Sequence, residues 1–143
     1  MKKFLLFTVL CISTLSIAQT PQFSGKYEKR TNTNAGSVFE YTLDLKADGT
    51  FAYHFYRNID ATQPEENLYG KGTWKADKKS VLFTTNKATD INEKYTLDFT
   101  GSKARFVKKR VWVEGREIKK TYFLFYDSDL RTIKGLKLSK STD

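Results

Sequence analysis

The stretch LKADGTFAYHFY, residues 45–56, decides the fold because it places Asp48-Gly49 between two segments of alternating character. In residues 39–46 apolar side chains occupy every second position, and in residues 51–56 aromatic side chains do so again. Both residues of a two-residue hairpin turn must tolerate positive φ, and Asp-Gly meets that requirement. The stretch therefore predicts a β-hairpin that turns at Asp48-Gly49.

Alternation with a period of two recurs along most of the chain, and short turn sequences separate the alternating segments, which predicts about eight to nine strands. In one of them Gly70, Gly72 and Trp74 share a face, and inward glycines indicate a close backbone approach or a sharp bend. Strands joined in order by short turns protect their edges by closing into a barrel or folding into a sandwich. Because the meander order favours the barrel, we predict an all-β fold, a single antiparallel up-and-down meander barrel.

The segment ARFVKKRVWVEG, residues 104–115, changes its alternation part of the way along. Phe106 falls on one face of the predicted strand, whereas Val111 and Val113 fall on the other. One extra residue reverses the side on which every later side chain lies. The sequence therefore predicts a β-bulge at residues 108–110, followed by a turn at residues 114–117.

Residues 1–18 have the pattern of a signal peptide, with two lysines, an apolar run and small residues before the cleavage point. Cleavage after Ala18 leaves one domain at residues 19–143, which is a usual single-domain length. The apolar run is too short to span a bilayer comfortably and no second run follows, so we predict no transmembrane segment. Cys11 raises a lipoprotein alternative, which the bulky Leu10 before it opposes. We therefore expect an exported protein, periplasmic or secreted.

The formal net charge is +9 for the whole chain and falls to +7 without Lys2 and Lys3 of the signal peptide. A basic surface favours anionic partners, here an anionic envelope component or an acidic protein. Nucleic acid is not expected, because the chain contains no recognition element. The cations concentrate on two successive strands and form a predicted basic patch: Lys103, Arg105, Lys108, Lys109, Arg110, Arg116, Lys119 and Lys120. The alternative is a solvated outer face whose lysines protect strand edges.

Three segments carry a resemblance to a known family: FSGKY at residues 23–27, LDLKADGTFAYHF at 43–55 and GKGTWKADKKSVLF at 70–83. Over residues 23–85 the chain resembles the exported lipocalin-like (calycin-type) small β-barrel domains of bacteria, including the lipocalin-like domain of copper-resistance and envelope-stress lipoproteins. The resemblance implies a lipocalin-like barrel but names no ligand. Those lipoproteins carry cysteines, whereas the predicted mature chain has none, so anchoring, redox signalling and thiolate copper binding do not carry over.

Large side chains predicted to point into the barrel either line a pocket or fill a packed core. The predicted contacts to a small apolar or amphipathic ligand are Tyr41, Tyr53, Phe55, Trp74, Tyr95, Phe123 and Phe125. Tyrosine hydroxyls and the tryptophan N–H would orient such a ligand, because these groups need hydrogen-bond partners when buried.

The only histidine, His54, alternates with the aromatic residues 51, 53 and 55 and is therefore predicted to face outward. A metal site needs several converging ligands, so we expect no metal and no other cofactor. The sequence shows neither a nucleophile beside a base nor a glycine-rich phosphate loop, so we expect no catalytic residues and no enzyme activity.

The sequence thus favours an exported, non-catalytic protein that binds a small ligand inside the barrel. The alternative is an envelope protein-interaction or inhibitor module that acts through loops and a basic outer face. A large cavity beside residues 57–67 would favour the first function, and a filled barrel with a continuous basic face would favour the second. The oligomeric state is left open.

Overall fold

The computed structural model describes residues 22–142. The predicted signal peptide at residues 1–18, the cleavage after Ala18 and the first residues of the predicted domain lie outside the described residues. The strands are β1 (Gly25–Asn32), β2 (Val38–Leu45), β3 (Thr50–Asn58), β4 (Glu66–Asp77), β5 (Ser80–Thr84), β6 (Tyr95–Leu97), β7 (Lys103–Val113), β8 (Arg116–Asp127) and β9 (Lys137–Lys140). In the described part of the chain no helix is long and apolar enough to cross a membrane.

Eight of these strands form a closed antiparallel barrel. Each pairs with the next in chain order, except that β5 pairs with β7, and β9 returns to pair with β1. The remaining strand, β6, pairs in parallel with β4 at Tyr69 and Gly70, beyond the part of β4 that pairs with β5. The prediction of an all-β up-and-down barrel is confirmed, and the barrel is consistent with a lipocalin-like one.

The β2–β3 hairpin has the predicted register, with Leu45 opposite Phe51, but its turn differs from the predicted two-residue form. Four residues connect the strands, and the Gly49 N–H donates to the carbonyl of Lys46 over 3.1 Å. Only Gly49 in this turn has a positive φ, at 88°. The Asp48 carboxylate instead accepts hydrogen bonds from the backbone N–H and hydroxyl of Thr50, which fixes the turn without a left-handed Asp48.

Side chains alternate between the barrel interior and the outer surface, as a period of two requires. The inward glycines of β4 are present because the interior is crowded. A Cβ on Gly70 would come within 2.5 Å of the Phe99 ring, and one on Gly72 within 2.1 Å of the Thr84 carbonyl oxygen. Of the two alternatives, the close backbone approach is confirmed at Gly72, whereas Gly70 makes room for a side chain.

The bulge predicted at residues 108–110 is wrong. The β7–β8 pairing is continuous from Ala104 to Val113, and its register shift lies between Lys103 and Ala104. No bulge is needed, because the two strands continue beyond their neighbours. β5 pairs with β7 only at residues 103–105, and β9 pairs with β8 only at residues 122–124.

Residues 107–121 therefore form a two-stranded element, here called the projecting ribbon. Among the described residues, its strands pair only with each other. Glu114 and Gly115 form its turn with φ values of 52° and 76°, the positive values of a type I′ hairpin. Six residue steps separate Val107 from Val113, so the ribbon is about 20 Å long. It leaves the barrel at the end where β1 begins and β9 ends.

Candidate functional site

The interior is occupied by most of the residues predicted to contact a ligand. Five of the seven are buried: Tyr53, Phe55, Trp74, Phe123 and Phe125. Tyr41 is half-buried, and its ring centroid lies 5.0 Å from that of Phe55. The structure thus brings six of the predicted side chains to the barrel interior or its margin.

These inward rings contact one another. In the middle of the barrel the Phe83 ring centroid lies 5.0 Å from that of Phe51 and 5.2 Å from that of Phe125. At the end where β1 begins, Phe23 packs edge-to-face on Phe106 at 4.8 Å, and Tyr27 packs on Phe123 at 4.6 Å. Centroid separations of 4.5–7 Å are those of packed aromatic pairs. The inward rings therefore form a packed core.

Two polar groups of large core side chains are hydrogen-bonded to the backbone. The Tyr27 hydroxyl donates to the Phe23 carbonyl over 2.9 Å, and the Trp74 indole N–H donates to the Lys46 carbonyl over 3.0 Å. Burial raises the pKa of the Tyr27 and Tyr53 hydroxyls, because the phenolate would lose its hydration. The two tyrosine hydroxyls therefore stay neutral at ordinary pH.

The prediction that Tyr95 points into the barrel is wrong. It lies on the short strand β6, and its ring contacts the outward Tyr69 at a centroid distance of 5.9 Å. The ammonium groups of Lys71 and Lys94 lie 4.7 and 5.5 Å from the Tyr95 centroid. Tyr95 is therefore part of an outer-surface aromatic cluster, because a three-residue strand pairs with the outer register of β4.

His54 faces outward, as its alternation predicts. Its ring stacks on Tyr69 at 4.5 Å with 7° between the planes, and its Nε2 lies 2.8 Å from the Asn67 Oδ1. Within residues 22–142 no group of three or more His, Cys, Asp or Glu side chains is arranged to hold a metal.

The predicted basic patch divides into two parts. Lys103 and Arg105 lie in the barrel wall, where the Lys103 ammonium is 3.5 Å from the Asp127 carboxylate and the Arg105 guanidinium is 5.5 Å from the Tyr126 ring centroid. The other six cations belong to the projecting ribbon: Lys108, Lys109, Arg110, Arg116, Lys119 and Lys120. The strand register places four of these six opposite one another, whereas Lys108 is opposite Thr121 and Arg116 is opposite Val113.

Like charges face each other across the ribbon. Lys109 is directly opposite Lys120, and Arg110 is directly opposite Lys119. The two pairs lie on opposite faces, because successive side chains of a strand alternate. Both faces of the ribbon are therefore positive.

Few carboxylates offset this charge. The 15 residues 107–121 contain six cations and two acids, so their net charge is +4. Glu117 lies 3.4 Å from the Arg110 guanidinium, and in the described chain the other five cations have no carboxylate within 4 Å. An open hollow of about 420 Å³ lies against four of the cations and Thr121. This arrangement of positive charge can hold anionic groups.

The end of the ribbon carries four apolar side chains beside charged ones, which sequence reasoning missed. Val111, Trp112, Val113 and Ile118 lie beside the turn and are here called the apolar tip. Trp112 is 74% exposed, and Val113 and Ile118 are each 42% exposed. The sequence signal for these residues is the change of alternation after Phe106, which reflects a change of surroundings and not the predicted bulge.

Searches with protein-family models, curated proteins and solved structures each found no match to this chain.

Proposed function

We propose that the protein is an exported, non-catalytic binding module that takes an anionic partner on its projecting ribbon. The observation that carries this proposal is the placement of Lys109 opposite Lys120 and of Arg110 opposite Lys119. Like charges directly opposite each other destabilise a strand pair. A partner that supplies negative charge would relieve that repulsion on binding.

The position of these pairs supports the proposal further. The ribbon leaves the barrel, so its charges are not required to solubilise or cover the core. Two exposed faces allow a partner to approach from either side. Each ribbon strand has an unpaired outer edge that lysines protect, but edge protection does not require cations to stand directly opposite one another.

A function as carrier of a small ligand inside the barrel stays a prediction. A ligand there would have to displace rings that already contact one another, such as Phe51, Phe83 and Phe125. Native mass spectrometry of the gently purified protein tests it. A reproducible added mass that is lost on denaturation would support the carrier function.

The proposed function is tested by retention on an immobilised sulfated polysaccharide. The probe variant Lys109→Ser/Lys120→Ser removes one facing pair, and the control variant Lys46→Ser/Lys75→Ser removes two exposed lysines from the barrel. Both changes lower the net charge by the same amount. We expect the ribbon variant to elute at clearly lower salt than the control, because clustered cations bind a polyanion together.

Equal elution of the two variants would contradict the proposal, since only total charge would then matter. Melting curves of both variants check that each remains folded.

A further inference from the structure

We infer that the anionic partner is the surface of a phospholipid bilayer and that the apolar tip inserts at its interface. This inference rests on the proposed function and names the partner. The ribbon combines two features along its length: four apolar residues at the far end, where Val113 is opposite Arg116 and Trp112 is opposite Glu117, and the other five cations between that end and the barrel.

The tip has the composition of an interfacial anchor. Trp112 is the most exposed large apolar side chain among the described residues, and Val113 and Ile118 are also exposed. Tryptophan prefers the level of lipid headgroups, where its ring is apolar and its N–H can be hydrated. Val113 and Ile118 lie on the other face of the ribbon at the same end, and exposed branched apolar side chains also gain by leaving water.

Two of the cations, Lys109 and Lys120, would lie at the depth of the lipid phosphates when the tip is inserted. The Lys109–Lys120 pair lies on the same face as the Val111–Ile118 pair. It is two residues, or about 7 Å, nearer the barrel. Interfacial elements bury about 5–10 Å at the headgroup boundary, so the tip can enter while these ammonium groups remain among phosphates. Each cation near an anionic bilayer strengthens binding about fivefold.

The apolar tip separates a bilayer from other anionic partners. A soluble polyanion would use the cations of the ribbon and leave Trp112 in water. Two carboxylates lie near the tip, and one of them, Glu117, is close to Arg110. The other, Glu114, is in the turn and opposes an anionic surface, so Glu114→Gln should tighten binding to anionic vesicles about two- to fivefold.

The experiment measures co-sedimentation with vesicles of phosphatidylcholine alone and of phosphatidylcholine with about one third phosphatidylglycerol. It uses the chain from Gln19, which contains every described strand. We expect binding to the anionic vesicles only, with a blue shift of tryptophan emission. Trp74 is 1% exposed and should contribute a constant signal, so the shift reports on Trp112.

Matched variants separate insertion from charge. Trp112→Ser should weaken vesicle binding about tenfold and leave elution from the sulfated polysaccharide unchanged. Leu82→Ser removes an exposed apolar side chain from the barrel wall and should change neither. Lys109→Ser/Lys120→Ser should weaken both.

The outcomes distinguish the two proposals. Retention on the polysaccharide without preference for anionic vesicles would overturn the membrane inference and leave the proposed function standing. Vesicle binding that Trp112→Ser does not change would overturn tip insertion. Failure to bind either probe would overturn both.

Discussion

The barrel wall and the projecting ribbon are built from the same two strands, β7 and β8, yet they follow different rules. In the wall, Phe106 is opposite Phe123 and both are buried. One step beyond, on the same face, Lys108 is opposite Thr121 and Lys108 is exposed. The pairing is continuous through this change, so hydrogen bonding between the strands does not cause it.

The difference arises from the neighbouring strands. Where β5 and β9 pair with β7 and β8, one face is turned toward a core and must be apolar. Where those neighbours end, neither face packs on a core, so neither face has to be apolar. Cations lie opposite cations there, and Trp112 is exposed to solvent. The hydrophobic pattern of a strand therefore reports its surroundings as well as its conformation.

The largest expected effect contrasts the two tryptophans. Trp74→Ala should lower the free energy of unfolding by about 3–5 kcal/mol, because it removes a buried indole from the core. Trp112→Ala should change it by less than about 0.5 kcal/mol, because this side chain is exposed on the ribbon. Urea unfolding measures both. A Trp74→Ala variant as stable as the parent would show that the inner face is assigned incorrectly.

A smaller effect is expected from crowding inside the wall. Gly72→Ala should cost about 1–3 kcal/mol, because the new Cβ meets the backbone carbonyl of Thr84 and the chain must shift. The neighbouring Thr73→Ala, at an exposed position on the same strand, is the control and should be close to neutral. Equal effects of the two changes in thermal unfolding would contradict the close approach.

Much of the barrel could be predicted because its determinants are local. The alternation around Asp48-Gly49 sets which side chains face inward, and it gives the correct register of Leu45 against Phe51. The turn geometry could not be derived in the same way. Asp-Gly suits several hairpin turns, and here the Thr50 hydroxyl and N–H select one by binding the Asp48 carboxylate.

The candidate site was predicted only in part, because its form depends on distant strands. The cations of β7 and β8 were identified, but nothing near Lys108 in the sequence shows that β5 and β9 stop short of it. Tyr95 was misplaced for a similar reason. Its orientation follows from parallel pairing of a three-residue strand with β4, which alternation along residues 91–99 does not reveal.

A further loss of about 1–2 kcal/mol in the free energy of unfolding should appear only at alkaline pH, and it should arise from the buried tyrosines of the core. Burial raises the folded-state pKa of Tyr27 and Tyr53 above the ordinary value of 10.0. The stability gained by keeping these hydroxyls neutral is fully present below about pH 10 and is lost as the pH rises through the folded-state pKa values. Urea unfolding between about pH 9 and pH 11 should therefore show a steeper loss in the parent than in Tyr53→Phe. Tyr126→Phe, which removes the hydroxyl of an exposed tyrosine, is the matched control variant.

The smallest expected effect on stability comes from deleting most of the projecting ribbon. Replacing residues 108–121 with Asn-Gly would join Val107 to Tyr122, which are already paired, through a two-residue hairpin turn. Phe106 and Phe123 stay in place, so the core is unchanged. The deletion also removes two pairs of facing cations, whose repulsion offsets part of the lost strand pairing. We expect the free energy of unfolding to change by less than about 1 kcal/mol, while retention on the sulfated polysaccharide falls sharply.

This deletion decides whether the ribbon is part of the fold or an appendage of it. A barrel that melts near the parental temperature but no longer binds would place binding in the ribbon and stability in the wall. A barrel that unfolds or loses several kcal/mol would show that the ribbon supports the end where Phe23 packs on Phe106. The facing cations would then be tolerated for structural reasons, and the comparison between wall and ribbon would lose its functional meaning.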